Sequence, residues 1–340
     1  MAKKRIAVLF GGASEDHGVS LMSAHSVLKG LDKSKYDILP IGITRAGRWL
    51  YFPGDYSQIP DGTWEANLDC CSAILSPDPL HGGVVKILDE TGYSLQRVDV
   101  VFPVLHGKYG ECGQIQALCK LSSISYVGSG FAAAALCSDK ALTHTVLNRA
   151  GIKTAKFMEF ERVNIDRMDS EFEKIEVEIG YPMYVKPALG SRSITSAELV
   201  EDRRQLKDAV KSAFSHHHKI VAEGVVTGRE LECVVWGSVY ALSVSKIAEA
   251  NDEFELVIPA ALDDSVTARV SELAKTAFLA LGCTDFARIS FRLSHNGAIY
   301  CTRVSNVPGF TEKDVFARLM EASGFEYSQM LDMLVESEKV

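Results

Sequence analysis

A continuous apolar run from Arg5 to Phe10 halts at Gly11-Gly12, and a helical pattern takes over from Val19 to Leu31. Strand, glycine turn and helix in that order open an α/β fold. Tyr36 to Ile43 supplies a second strand, and Asp99 to Leu105 a third that ends in His106-Gly107. Short apolar strands alternating with helices imply a parallel sheet, and such sheets bind ligands beyond the carboxyl ends of their strands. Both glycine turns fall at those ends.

The texture changes at Asp139. A helix with apolar positions Leu142, Val146 and Leu147 reaches a stop at Ala150-Gly151, and a new domain begins near here. Pro182 to Pro187 reads as a strand bearing a lysine, and Lys219 to Glu223 as another. After Thr227-Gly228-Arg229-Glu230 comes the strand Leu231 to Trp236. A helix from Val266 to Leu281 precedes two strands, Ala287 to Leu293 and Ala298 to Val304. Asn296-Gly297 between them predicts a hairpin. Phe325 to Leu334, apolar at Tyr327, Met330, Leu331 and Leu334, predicts a helix packed on the last domain.

Composition narrows the function classes. A chain of 340 residues, 47% hydrophobic, can bury the cores of two or three domains. It holds no apolar run of the ~18 residues that a membrane span needs. Eight cysteines, scattered without a CxxC pair, read as reduced core thiols of a cytoplasmic protein. A net charge of −8 argues against a nucleic-acid partner and for a small-molecule ligand. His216-His217-His218 reads as a solvated loop rather than a metal tract.

Three polar constellations remain. The turn Gly11 to Ser20 places Asp16 and His17 at a helix mouth that can meet an anion, although Asp16 or Ser14 capping the helix explains it equally well. The loop His106-Gly107-Lys108-Tyr109-Gly110-Glu111-Cys112-Gly113 puts a histidine and a glutamate at a strand end, where they can share a proton or orient a small zwitterion. Lys140, Lys186, Glu223 and Glu230 are the third set. Lysines facing a cleft neutralise phosphates, and a carboxylate after a strand accepts from an adenine amine or from ribose hydroxyls.

Five stretches together, in order and spacing, resemble D-alanine:D-alanine ligases: Gly11 to Ser20, VFPVLHGKYGECGQIQ (Val101 to Gln116), YVGSG with SDK (Tyr126 to Lys140), GYPMYVKP (Gly180 to Pro187) and VPGFT (Val307 to Thr311). KYDILPIGITRAGRW (Lys35 to Trp49) is most similar to the VanG kind of D-alanine:D-serine ligase, known from vancomycin resistance. The resemblance implies an ATP-grasp fold: an N-terminal α/β domain with a parallel sheet (1–138), then two α+β lobes (139–227 and 228–340) that enclose a nucleotide cleft. It also implies chemistry through an acyl phosphate in peptidoglycan precursor synthesis, and a homodimer formed through the first domain. Position by position, it implies that Asp16 and His106 line the first D-alanine subsite and that Lys140 and Lys186 bind phosphate. Glu223 and Glu230 then meet adenine and ribose, Arg288 steadies the transferred phosphate, and Gly309 offers an N–H to the oxyanion.

The chain departs from that pattern where the family holds magnesium. Ser290 stands at the expected Asp, Arg303 at the Glu and Ser305 at the Asn, and no acidic residue lies between Phe286 and Thr311. Magnesium is ordinarily held by carboxylates together with substrate phosphates. A cation at a former ligand position opposes it by roughly 4 kcal/mol per unit charge pair at ~4 Å and an effective dielectric near 20. The glycine-rich lid is reduced to Ala188 to Thr195, carrying Arg192. Only Lys246 to Glu255 remains of the loop that brings a tyrosine and a lysine over the site. Asp314 replaces the serine that holds the second amino acid.

Magnesium binding is expected to be lost or weak, and ATP or ADP is the nucleotide the cleft would take. The favoured expectation is a catalytically impaired paralogue that keeps nucleotide or D-alanine binding and acts as a regulator or partner. The second is an active ligase in which Arg288, Arg303 and Arg192 clamp phosphate instead of magnesium. A third is a different ATP-grasp reaction.

Overall fold

A computed structural model describes residues 3–88, 92–161, 168–189, 197–238, 240–250 and 255–337. Three sheets organise them. The first begins with β1 (Lys4–Gly11), α1 (His17–Gly30) and β2 (Tyr36–Ile43). It continues through β3 (Trp49–Tyr51), β4 (Cys71–Leu75), β5 (Gly83–Leu88), β6 (Gly92–Arg97) and β7 (Val100–Val104). A short helix α2 (Lys108–Glu111), then α3 (Gln114–Leu121), β8 (Ser125–Tyr126) and α4 (Phe131–Ser138) complete it.

The strand order is β6-β5-β4-β3-β2-β1-β7-β8. The pairs β1–β2, β1–β7 and β7–β8 are parallel, as the sequence implies. From β2 outward the sheet is antiparallel, so the parallel core carries a meander that the apolar pattern does not announce. Ile6 to Phe10 are fully buried because the sheet is covered on both faces.

The second sheet is a four-stranded antiparallel layer, β11-β10-β12-β9. It follows α5 (Lys140–Arg149) and comprises β9 (Phe157–Glu161), α6 (Asp169–Glu178), β10 (Met183–Pro187), β11 (Glu198–Val200), α7 (Arg203–His216) and β12 (Lys219–Gly224). Asp202 caps α7 by accepting from Gln205 N. Leu206, Ala209, Val210 and Ala213 then fall on one buried stripe at helical spacing. Phe172, Ile175, Val185 and Ile220 close this lobe's own core.

The third sheet runs β16-β15-β13-β17-β18, with β14 also on β13. Its strands are β13 (Arg229–Ser238), β14 (Ala241–Val244), β15 (Ala248–Ala250), β16 (Leu256–Val257), β17 (Asp285–Leu293) and β18 (Ile299–Ser305). α8 (Asp264–Ala280) covers one face through Val270, Leu273, Ala274, Ala277 and Phe278. The predicted hairpin joins β17 to β18, with Gly297 alone at positive φ (78°) in its turn. That geometry closes with Gly297 N donating to Ser294 O and Ser294 N to Ala298 O.

α9 (Val315–Ala322) and α10 (Tyr327–Glu336) end the chain. α10 packs on α9, as expected, and docks on the first domain as well: Met330, Leu331, Leu334 and Val335 share a cluster with Phe316, Leu319 and Met320 and with Ile6, Val27, Leu28 and Tyr36. Glu336 pairs with Lys4 at 2.5 Å, Asp332 pairs with Lys35, and Gly30 leaves room for the Tyr327 ring. The apolar spacing of α10 showed a buried face without showing what covers it. Phe286, Phe310 and Phe316 extend the same cluster into the third sheet.

Candidate active site

The turn after β1 and the loop after β7 are tied by one hydroxyl. Ser20 Oγ accepts from Gly11 N at 2.7 Å and donates to Val104 O. Gly11 must be glycine: its φ is +87°, and a Cβ would stand 2.2 Å from Ile43 O. Ser14 Oγ donates to His106 O at 3.0 Å, joining the same two segments. Asp16 is buried, its Oδ2 has no hydrogen-bond partner among the described residues, and that oxygen lies against the Gly107 backbone. An acceptor held unsatisfied beside a positive-φ glycine is a ready contact for an ammonium.

His106 is fully buried; its Nε2 lies 3.3 Å from Ser23 Oγ and its Nδ1 3.9 Å from Glu111 Oε1. Glu111 Oε1 also accepts from Gly107 N at 3.1 Å. Ser23 Oγ accepts from Phe310 N at 3.4 Å, so one serine positions both the histidine and the loop that carries Gly309. Ser23 escaped the sequence reading; its only signal is the one-turn spacing from Ser20 on the buried face of α1.

In the second lobe Lys186 Nζ pairs with Glu223 Oε2 at 2.7 Å, and His144 Nε2 with Glu223 Oε1 at 2.9 Å. Burial alone would raise the Glu223 carboxyl, but the Lys186 charge and the His144 hydrogen bond outweigh it and bring it down to about 2. Lys140 Nζ donates to Pro187 O at 3.0 Å and to Ala188 O at 3.4 Å. Burial, and then the neighbouring Lys186 charge, lower its ammonium to about 8. Lys140, Lys186 and Glu223 are thus brought together, with His144 an addition that local periodicity could not supply. Glu230 stands apart, paired to Arg292 at 2.7 Å. An adenine or ribose contact at either glutamate competes with these internal pairs.

The third sheet presents two polar rows. In register across β13, β17 and β18 lie Glu232, Ser290 and Arg303, and beside them Val234, Arg288 and Ser305. Ser290 Oγ donates to Glu232 Oε1 at 2.9 Å. Arg288 Nε approaches Glu232 Oε2 at 3.5 Å without hydrogen-bond geometry, which leaves both atoms unsatisfied. Burial holds the Glu232 carboxyl above its ordinary value, while Arg288, Ser290 and Arg303 pull it back. Arg303 is half-buried, and its charge reaches both Lys140 and Glu232.

These residues do not fit a magnesium ion. No group of three or more His, Cys, Asp or Glu able to hold a metal occurs among the described residues. The single carboxylate present, Glu232, is faced by Arg288 and flanked by Arg303. Glu232, like Ser23 and His144, was missed by the sequence reading, because its place opposite Ser290 depends on pairing 58 positions apart.

Gly309 is buried, and a Cβ there would stand 2.5 Å from the Asp314 carboxylate. Asp314 Oδ2 accepts from Thr311 N at 2.8 Å and Thr311 Oγ1 at 2.7 Å, which fixes a negative charge against the glycine expected to stabilise an oxyanion. β15 and β16 pair Ala250 with Leu256, and residues 251–254 of the stretch expected in place of the covering loop lie outside the described residues. Arg192 and the lid residues 190–196 lie outside the described residues.

The profile described as D-ala D-ala ligase C-terminus matches residues 146–336, and that described as D-ala D-ala ligase N-terminus matches 5–129. A D-alanine–D-alanine ligase of a Thermoanaerobacter species is 37% identical over 98% of this chain and 96% of its own. The vancomycin/teicoplanin A-type resistance protein VanA of Enterococcus faecium is 35% identical over 98% of each chain. The crystal structure of VanG D-Ala:D-Ser ligase from Enterococcus faecalis superposes with a TM-score of 0.90 at 33% identity, covering 98% of this chain and 99% of that one. The fold is ATP-grasp, and the chain belongs to the D-alanine–D-alanine ligase family.

Proposed function

We propose that this chain is a catalytically impaired member of its family, one that retains a nucleotide pocket and a D-alanine pocket and acts by binding, as a regulator or partner in peptidoglycan precursor synthesis. The row Glu232–Ser290–Arg303 carries the reading. Phosphoryl transfer from ATP draws on metal ions to bridge β- and γ-oxygens and offset developing charge, and losing them slows it by orders of magnitude. The carboxylate of Asp314 against Gly309 works in the same direction by opposing negative charge on a tetrahedral centre. The unsatisfied, buried Asp16 Oδ2 and the pairing of Lys186 with Glu223 beside Lys140 support retained binding at Asp16, His106, Lys140 and Lys186. A homodimer and a cytoplasmic setting belong to the same proposal; eight cysteines outside any disulfide support the second.

The test is phosphate release from ATP with D-alanine, alone and with D-serine or D-lactate, with and without magnesium, beside an active ligase. Absence of turnover while the reference works supports impairment. Turnover comparable to the reference would sink it and favour the second reading, in which Arg288 and Arg303 clamp phosphate, a role their shared approach to Glu232 also suits.

A further inference from the structure

We propose that Tyr327, on the last helix α10, is a positioning residue of the D-alanine pocket: through Phe310 and Ser23 it sets the tautomer and orientation of His106. The inference rests on the reading that a D-alanine pocket is retained, and it names what holds that pocket in shape.

The Phe310 ring is locked among Phe102, Phe286 and Phe316, with ring centroids 5.4, 5.9 and 5.8 Å away. Its backbone is held on both sides. Phe310 N donates to Ser23 Oγ at 3.4 Å, which fixes the peptide plane shared with Gly309. Tyr327 OH donates to Phe310 O, and Thr311 N donates to Asp314 Oδ2, so the next peptide plane is fixed as well. Without these bonds Gly309 would keep the freedom of a residue that has no Cβ. The Tyr327 ring reaches this point by lying against Gly30 of α1, where a Cβ would stand 2.6 Å from it.

From Ser23 the order continues into the pocket. His106 Nε2 lies 3.3 Å from Ser23 Oγ, and His106 Nδ1 lies 3.9 Å from Glu111 Oε1. An ionised carboxylate only accepts, so that side favours Nδ1–H and leaves Nε2 to accept from the Ser23 hydroxyl. Ser23 has one proton to give, and the Phe310 N–H uses a lone pair of the same oxygen. Loosening Phe310 at its carbonyl therefore releases the Ser23 hydroxyl to rotate and His106 to exchange tautomers.

Tyr327→Phe keeps the ring and removes the hydroxyl. Isothermal titration of the full chain with D-alanine, paired with the imidazole nitrogen shifts of isotope-labelled histidine, tests the inference. D-alanine should bind about 5-fold more weakly in the variant, as expected for the loss of one neutral hydrogen bond. His106 should report the Nδ1–H tautomer in the parent chain and a mixture in the variant. Tyr36→Phe removes a different hydroxyl contact to α10, at Glu336 Oε1 (3.3 Å), and should leave both readouts alone, which separates this bond from the docking of α10 in general. Unchanged D-alanine affinity in Tyr327→Phe, an equal loss in Tyr36→Phe, or a parent His106 in any other form overturns the inference. No D-alanine binding by the parent chain overturns the retained pocket; the His106 shifts then decide the inference alone, and shifts unaltered in Tyr327→Phe overturn it.

Discussion

Lys186→Met is the perturbation that most directly probes the second lobe. Glu223 is 7% exposed and held between Lys186 and His144, its carboxyl lowered from an ordinary 4.5 to about 2. At about 1.4 kcal/mol per pH unit, that depression corresponds to about 3 kcal/mol of stability. Because the folded value is the lower one, the contribution is complete above pH 4.5 and is lost as pH falls through about 2. Removing the ammonium leaves a buried carboxylate with His144 Nε2 beside it at 2.9 Å, and breaking such a pair from one side costs about 3–5 kcal/mol. About 3 kcal/mol, the lower end of that range, is expected at pH 7. Hydrogen exchange over Lys219–Gly224 reads the local opening free energy without requiring the whole chain to unfold as one. Lys186→Met/Glu223→Gln completes a double-mutant cycle, with a coupling of about 2 kcal/mol expected. A loss below about 1 kcal/mol for the single variant, or additivity in the cycle, would refute the pair as described.

Restoring Ser290→Asp, Arg303→Glu and Ser305→Asn together should raise affinity for magnesium-nucleotide by about tenfold or more in a metal titration, and no change would mean the site is misaligned. Asp314→Ser removes the charge beside Gly309 and should tighten binding of a D-amino acid measured by calorimetry, while losing its bonds to Thr311 costs about 1 kcal/mol in denaturant unfolding. Ser23→Ala should cost about 1–2 kcal/mol and speed exchange at the Phe310 amide, because His106 and Phe310 share that hydroxyl. Lys140 ionises near 8 when folded, below its ordinary 10.5, so folding stability should rise with pH between those values and ATP affinity should fall. Calorimetry in a pH series with Lys140→Met as the flat control checks the second effect.

The sequence made the parallel core legible because β1, β2 and β7 are apolar along their length, and the β17–β18 hairpin legible because its turn chemistry is local. The meander from Trp49 to Arg97 was not, since its strands are short, half-exposed and defined by partners rather than by pattern. The site divides in the same way. Asp16, His106, Lys140 and Lys186 sit in motifs, whereas Glu232, His144 and Ser23 acquire meaning only through partners 58, 79 and 83 residues away. The substitutions at Ser290 and Arg303 were visible, but the carboxylate already committed between Ser290 and Arg288 was not.

Docking α10 onto α1 has a mechanical consequence. One continuous apolar cluster runs from Ile6 through Phe286 to Val335, so the first and third sheets form a single frame, braced at its rim by Lys4–Glu336. The four-stranded lobe has its own separate core, so a change in its position need not disturb the packing of that frame.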